Sequence, residues 1–204
     1  MDLKETYNRI ALDWHKDHSH DEWWVEGTDS FIKELSPGAR VLDVGCGSGV
    51  KSKYLIDHGL KVTGIDISEK LLDIARREAS EGEFKVLSMM ELDTMSEMFD
   101  GVFAQASLLH IPKKDAGDVV KKMTGRLVPG GFLYIAVKES REGKPDEGIE
   151  KENDYGYEYK RFFSYFTMNE LESYLTDAGL EVILKLRNPN PSGKTVWLQI
   201  IARK

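Results

Sequence analysis

Three glycines alternate in the stretch VLDVGCGSGV, residues 41–50, with a carboxylate, Asp43, two places before the first of them. In such a turn Gly45, Gly47 and Gly49 let a ligand approach the backbone closely and aim the N–H groups of a following helix at its negative end. Three ligand classes use turns of this kind: nucleoside triphosphates, dinucleotides and adenosyl-amino acids. A triphosphate loop needs a Lys-Ser/Thr pair after its last glycine, and here Gly49 is followed by Val50. The dinucleotide fingerprint asks for glycine at the first, third and sixth positions, which are Gly45, Gly47 and Val50, so the third glycine comes one place early. Asp43 sharpens the choice, because a carboxylate beside the turn repels a pyrophosphate and attracts a cation. S-adenosylmethionine offers an ammonium and a sulfonium to that carboxylate, and its own carboxylate to the positive end of the helix. A second acid, Asp66, stands 21 residues after Gly45, where an acidic side chain accepts hydrogen bonds from ribose hydroxyls. Taken only as structural residues, the glycines mark a tight turn and Asp66 a helix start before Ser68.

Aromatic residues gather in two peripheral segments. Trp14, Trp23 and Trp24 lie near the amino terminus, and seven aromatic residues fall between Tyr155 and Phe166. They suit an apolar acceptor pocket with cation–π contact to a sulfonium, or else they dock a lid onto the body of the fold. Pocket and packing weigh equally for Trp23 and Phe163; Trp14, Tyr157 and Arg161 are assigned to the pocket, where the Arg161 guanidinium would grip an acceptor's carboxylate. His15, His18 and His20 in HKDHSH form no helical i, i+4 pair, and no metal is assigned.

Positioning these groups calls for an alternating α/β chain. From residue 39 short apolar runs alternate with longer amphipathic ones, the pattern of βαβ units around a mostly parallel sheet. The pattern predicts strands at 40–44, 61–65, 84–88, 99–106, 131–137, 181–187 and 195–202, and helices at 49–58, 69–80, 114–127 and 168–178. Ser68 reads as one N-cap, and Thr167 with Glu170 as a capping box closed by Gly179. The last two strands, joined by PNPSGK, leave no room for a crossover helix and should pair antiparallel. Residues 1–36 read as one or two amphipathic helices (3–18 and 22–35) forming a lid. Residues 37–204 form the α/β domain, and the insertion 139–166 is a candidate substrate wall. Trp23 and Trp24 are adjacent and do not share one helix stripe, which leaves a dimer contact open as their use; monomer and homodimer both remain.

The bulk numbers agree with one soluble domain: 204 residues, 41% hydrophobic and 31% charged. A net charge of −7 with no basic run longer than two argues against a nucleic-acid partner. No apolar run reaches the roughly 18 residues that span a bilayer, and the start of the chain lacks a signal-peptide core, so no membrane association is expected and a cytoplasmic location is the default. The single cysteine, Cys46, rules out a disulfide framework and reads as a small filler inside the glycine run.

With VLDVGCGSG, GIDIS, FDGVFAQASLLHI and RLVPGGFLYIAV in this order and spacing, the chain resembles the class I S-adenosylmethionine-dependent methyltransferases over residues 36–140, and in its wording a small-molecule subgroup of them. The resemblance implies a Rossmann-like three-layer fold with a seven-stranded sheet in the order 3-2-1-4-5-7-6, strand 7 antiparallel, and methyl transfer that leaves S-adenosylhomocysteine. By its implication Gly45, Cys46 and Gly47 line the methionine part, Asp43 holds the amino group, Asp66 binds the ribose and Ile67 packs on the adenine. The backbone near Ala106 meets the ammonium, and Tyr7 belongs to a helix covering the cofactor. Many relatives place an aspartate after the third strand where this chain has Met89, so Met90 and Glu91, or their backbone, stand in for it. After the fourth strand ASLLHIP replaces the motif of amino-directed DNA enzymes, and no Pro-Cys nucleophile is present. His110 is the ionisable group placed to face a small acceptor, as a general base or as a packing residue beside Ile111. A cofactor-binding sensor or partner-binding protein without turnover is the alternative from another class, and a nicotinamide oxidoreductase is disfavoured by Val50 and Asp43.

Overall fold

The computed structural model describes residues 2–190 and 195–204. The chain opens with α1 (Leu3–His18), capped by the Asp2 carboxylate, which accepts from the Lys4 and Glu5 backbone N–H groups. A second helix, α2, covers Val25–Lys33. It begins three residues later than the sequence pattern predicts, with Trp24 at its N-cap. The two neighbouring indoles are thus outside the helix, and each takes its own direction.

The α/β body follows as β1 (Arg40–Val44), α3 (Val50–Asp57), β2 (Lys61–Asp66), α4 (Glu69–Glu78), β3 (Glu83–Val86), β4 (Phe99–Gln105), α5 (Lys113–Gly125) and β5 (Leu127–Lys138). Then come β6 (Glu147–Glu152), β7 (Tyr159–Ser164), α6 (Met168–Asp177), β8 (Glu181–Pro189) and β9 (Val196–Arg203). The main sheet runs β3-β2-β1-β4-β5-β9-β8. This is the expected 3-2-1-4-5-7-6 order once β6 and β7 are set aside, and β9 is antiparallel to both neighbours. The β8–β9 turn foreseen at PNPSGK falls partly on Pro191–Lys194, outside the described residues.

Side chains that alternate along the central strands separate two layers of core. Val102 and Ala104 of β4, with Leu133, Ile135 and Val137 of β5, face α5 and α6, while Phe103, Tyr134 and Ala136 face Phe31 of α2 and Leu55 of α3. The predicted capping signals are in place. The Ser68 hydroxyl accepts from Leu71 N, and Thr167 and Glu170 form a reciprocal capping box.

Two departures have simple causes. β5 starts at Leu127 and not at 131, because Leu127 pairs with Phe99 before Gly130 and Gly131 bulge out of register. The insertion carries a separate two-stranded ribbon, β6–β7. Its first strand, EGIEKE, is exposed or half-buried throughout and offers no apolar alternation for a sequence reading to detect.

The turn between β1 and α3 is tight for a reason outside itself. Gly49 has φ +81°, and a Cβ there would lie 2.8 Å from the Ala75 Cβ and 2.9 Å from its Cα. Gly49→Ala is therefore expected to destabilise the fold by about 2–3 kcal/mol through left-handed strain and overpacking against α4, read as a lower midpoint in urea.

Candidate active site

In this parallel arrangement the carboxyl ends of β1, β2, β4 and β5 share one edge of the sheet, where open α/β sheets bind ligands. A cavity of about 430 Å³ opens there, within the size range of small-molecule sites. The glycine turn forms its floor. Gly45 N and Cys46 N both donate to Ile65 O at 2.8 and 3.0 Å, locking the turn onto β2, and Gly45 and Gly47 have φ +74° and +55°. Cys46 is buried with Leu72, Ala75 and Phe84, and burial pushes its thiol well above the ordinary range, as befits a filler.

Asp43 is 2% exposed and lines the cavity. Ser52 Oγ donates to its Oδ2 at 2.6 Å, but burial dominates and lifts the carboxyl to about 7. Asp66 is raised as well, by burial, although Ser68 N and Gly47 N each donate to one of its oxygens at 2.8 and 2.9 Å. Lys51, at the start of α3, lines the same wall, and burial lowers its ammonium to about 8 against the pull of Asp21 and Asp43. At the end of β4 Ala106 takes a left-handed φ of +53°, the one such non-glycine among the described residues. On either side of it the Gln105 Nε2 and the Ser107 Oγ are buried and have no hydrogen-bond partner. Two orphaned polar atoms and a desolvated carboxylate around a glycine floor are the surroundings of a polar ligand.

α1 closes the top. Trp14 lies over Gly47, its ring 3.3 Å from where a Cβ would stand, and stacks on His18 at 4.6 Å. The helix is tied down by His15 to Ser48 Oγ at 3.0 Å, by Ser68 Oγ donating to Asn8 Oδ1 at 2.8 Å, and by a Lys4–Glu69 ion pair. Tyr7 joins the cavity to the insertion. Its hydroxyl accepts from Arg161 Nη1 at 3.2 Å and donates to His110 Nε2 at 2.7 Å. His110 Nδ1 lies 2.7 Å from the Phe162 carbonyl, which only accepts, so the proton sits on Nδ1 and Nε2 is the acceptor. Burial then holds the imidazole neutral, pushed down to about 3. Arg161 donates from Nε to Glu152 at 2.6 Å and from Nη2 to the other carboxylate oxygen.

The structure brings Tyr7, Trp14, Trp23, Asp43, Gly45, Cys46, Gly47, Asp66, Ile67, Met89, Ala106, His110, Arg161 and Phe163 to this one cavity. It leaves three expected residues outside. Met90 and Glu91 are exposed on the short 3-10 turn Met89–Thr94, because that turn rotates them away while Met89 leans toward Gly45. Tyr157 is drawn to the outer face of α1, where its hydroxyl donates to Asp13 at 2.7 Å under the Arg9 guanidinium. His110 is in the cavity but has both nitrogens engaged, so it is held as a strut and not as a free base. Arg161 is committed to Glu152 and Tyr7. The two tryptophans part company: Trp24 is buried against Tyr54, and Trp23 stacks on Trp197 at 3.8 Å at the cavity wall.

Sequence reasoning did not single out Lys51, Gln105, Ser107, Lys138 or Trp197. Position was the available signal for two of them. Lys51 follows the glycine turn at a helix start, and Lys138 ends the apolar run of β5 on the ligand-binding edge.

Residues 41–131 match the methyltransferase-domain family. A ubiquinone biosynthesis O-methyltransferase of Bordetella avium is 37% identical over 114 residues, which are 52% of this chain and 46% of that protein. The chain thus spans about half the length of the curated relatives it matches. Among solved structures, the 1,6-didemethyltoxoflavin-N1-methyltransferase of Burkholderia thailandensis, with bound 1,6-didemethyltoxoflavin and S-adenosylhomocysteine, superposes with a TM-score of 0.79 at 23% identity, over 99% of this chain and 87% of that one. The [4+2]-cyclase SpnF superposes with a TM-score of 0.74 at 19% identity, over 99% and 94% of the two chains. No helix of the described residues is long and apolar enough to cross a membrane. Motif order, sheet order and family match converge: residues 41–131 match the methyltransferase-domain family, and the chain takes the class I S-adenosylmethionine-dependent methyltransferase fold.

Proposed function

We propose that the protein transfers a methyl group from S-adenosylmethionine to a small-molecule acceptor, leaving S-adenosylhomocysteine. The observation that carries this reading is Asp43, a carboxylate buried beside a glycine floor with no cation in hydrogen-bonding reach among the described residues. Such a group is costly unless a cationic ligand meets it. The donor set fits the cofactor at its other points too. Asp66 has lone pairs left for ribose hydroxyls, Gln105 Nε2 and Ser107 Oγ lack partners, and Lys51 with the α3 amino end suits a carboxylate. Ile67, Leu87 and Met89 provide an apolar wall for a purine. The B. thailandensis neighbour, crystallised with S-adenosylhomocysteine, supports the assignment.

When bound, the cofactor supplies an electrophilic methyl on a sulfonium, open to in-line displacement. The protein's own part is to hold, orient and keep dry. Asp43 and Asp66 hold the two polar ends, Trp14 and Tyr7 cover them, and the wall of Trp23, Phe163 and Trp197 keeps water from the acceptor. His110 fixes the lid through Tyr7 and Phe162 and takes no proton in this arrangement.

That same arrangement favours one other reading, a cofactor-binding protein without methyl transfer, because both nitrogens of the His110 imidazole are engaged and it is not free to act as a base; SpnF, named as a cyclase, stands on the same fold. Titration calorimetry with S-adenosylmethionine and S-adenosylhomocysteine, followed by acceptor screens that detect S-adenosylhomocysteine, separates the readings. Binding of both with turnover on an acceptor is the expected result. Binding without turnover on any acceptor favours the second reading, and no binding of either ends both.

A further inference from the structure

On the wall of the same cavity, Lys138 closes β5 with its ammonium 4.0 Å from the centre of the Phe163 ring and 6.0 Å from that of Trp197. Those ring faces are its neighbours; no ion pair and no hydrogen-bond acceptor meets it among the described residues. The carboxylates close enough to act on it are already held. Glu152 is clasped by Arg161, and Glu150 accepts from the Tyr165 hydroxyl. Glu139, next in the chain, receives both donors of Arg187 at 2.8 and 2.7 Å. Arg161 and Arg141 add positive charge nearby, and burial together with the Arg161 charge holds the Lys138 ammonium below the ordinary lysine range. Glu150 and Glu152 act on it from a distance, but a half-buried cation facing a cavity with no carboxylate in ion-pair contact is still stabilised by an anion that enters. The wall around it is aromatic and flat: Trp197 lies parallel to Trp23, 6° between planes, and the buried Phe163 ring faces the ammonium.

We infer that this part of the cavity takes a flat aromatic acceptor bearing an anionic group, and that the anion pairs with Lys138, not with Arg161. The inference rests on the reading of the cavity as a joint cofactor and acceptor site. It assigns the acceptor's class, and makes Lys138 the specificity-determining residue of the chain.

The probes are 2-naphthoate and its neutral counterpart 2-naphthamide, titrated by tryptophan fluorescence with and without saturating S-adenosylhomocysteine, whose own binding is measured in parallel. Wild-type protein should bind the acid roughly tenfold or more tighter than the amide, the scale of a desolvated charge pair. Lys138→Met, which keeps the apolar stem, should bring the two probes within about twofold, and Lys138→Arg should restore the preference. No preference in the wild type, or a preference that survives in Lys138→Met, overturns the inference while leaving the cofactor reading intact. Failure of S-adenosylhomocysteine to bind, with the acid still preferred through Lys138, removes the cofactor reading and leaves an anion-binding cavity.

Discussion

Asp43→Asn should weaken S-adenosylhomocysteine binding by roughly 10²- to 10³-fold, the scale seen when one partner of a buried charge pair is removed. The substitution preserves volume and an oxygen for the Ser52 hydroxyl, so the loss isolates the charge. The pH dependence is the sharper test. The carboxyl sits at about 7 in the free protein, so between pH 5.5 and 7.5 an arriving ammonium must displace a proton from it. Wild-type affinity therefore rises with pH through this window, and Asp43→Asn flattens the curve. The Asp43 contribution to the stability of the free protein moves the opposite way. A folded carboxyl raised above its unfolded value near 3.9 keeps a proton that the unfolded chain has released, so this contribution falls as pH climbs from about 4 to about 7, by about 1.4 kcal/mol per pH unit, while His110, held at about 3 in the folded protein, contributes in the opposite sense below about 6.5. The stability difference between wild type and Asp43→Asn, read from urea midpoints at successive pH values, should therefore change by that amount across the window in favour of the variant as pH rises. Equal affinity in the two proteins, or a flat wild-type profile, would show that Asp43 does not face the ligand's ammonium.

Arg161→Met acts on the lid instead of the cofactor. The Arg161 and Glu152 side chains are 11% and 16% exposed, and their paired bonds cross the β6–β7 ribbon while a third reaches Tyr7 of α1. Removing the guanidinium leaves Glu152 charged and poorly solvated, which costs about 3–5 kcal/mol where the charge stays enclosed. The ribbon lies at the edge of the molecule and can open to let water reach the carboxylate. Most of the cost should therefore appear as local opening: faster amide hydrogen exchange in residues 147–164 and in α1, with a smaller fall in the global urea midpoint. Tyr7 loses one partner as well, so the Tyr7–His110 bond should loosen with it. Arg161→Met combined with Glu152→Gln should recover much of the protection, because the stranded charge is gone. A single variant that exchanges like wild type would mean that the pair is solvated and contributes little.

The inner half of the site was legible because its groups are close in sequence to the turns that place them. Gly45 and Gly47 need left-handed backbone, Asp43 is two residues away on β1, and Asp66 ends β2, its direct neighbour in the sheet. Local periodicity carried the helices and main strands for the same reason. The ribbon β6–β7 escaped, since its first strand buries neither face and leaves no period-two signal, while the buried Tyr159, Phe163 and Ser164 of the second do not alternate with exposed residues throughout.

By itself, then, the amino-acid sequence determined the order of the main-sheet elements and the ligand-binding edge, both consequences of residue type and short-range spacing. Only the tertiary structure decided the outer half. Whether His110 is a base or a strut depends on Tyr7, 103 residues earlier, and on the Phe162 carbonyl, 52 residues later. Whether Arg161 or Lys138 has a free charge depends on where Glu152, Glu150 and Glu139 find their partners. Trp23 and Trp24 separate because Trp197 from the last strand meets one of them and Tyr54 the other. Hydrogen bonds and charges are satisfied by whatever lies within a few ångströms, and across a lid, a ribbon and a sheet that neighbourhood is set by packing and not by the spacing of residues along the chain.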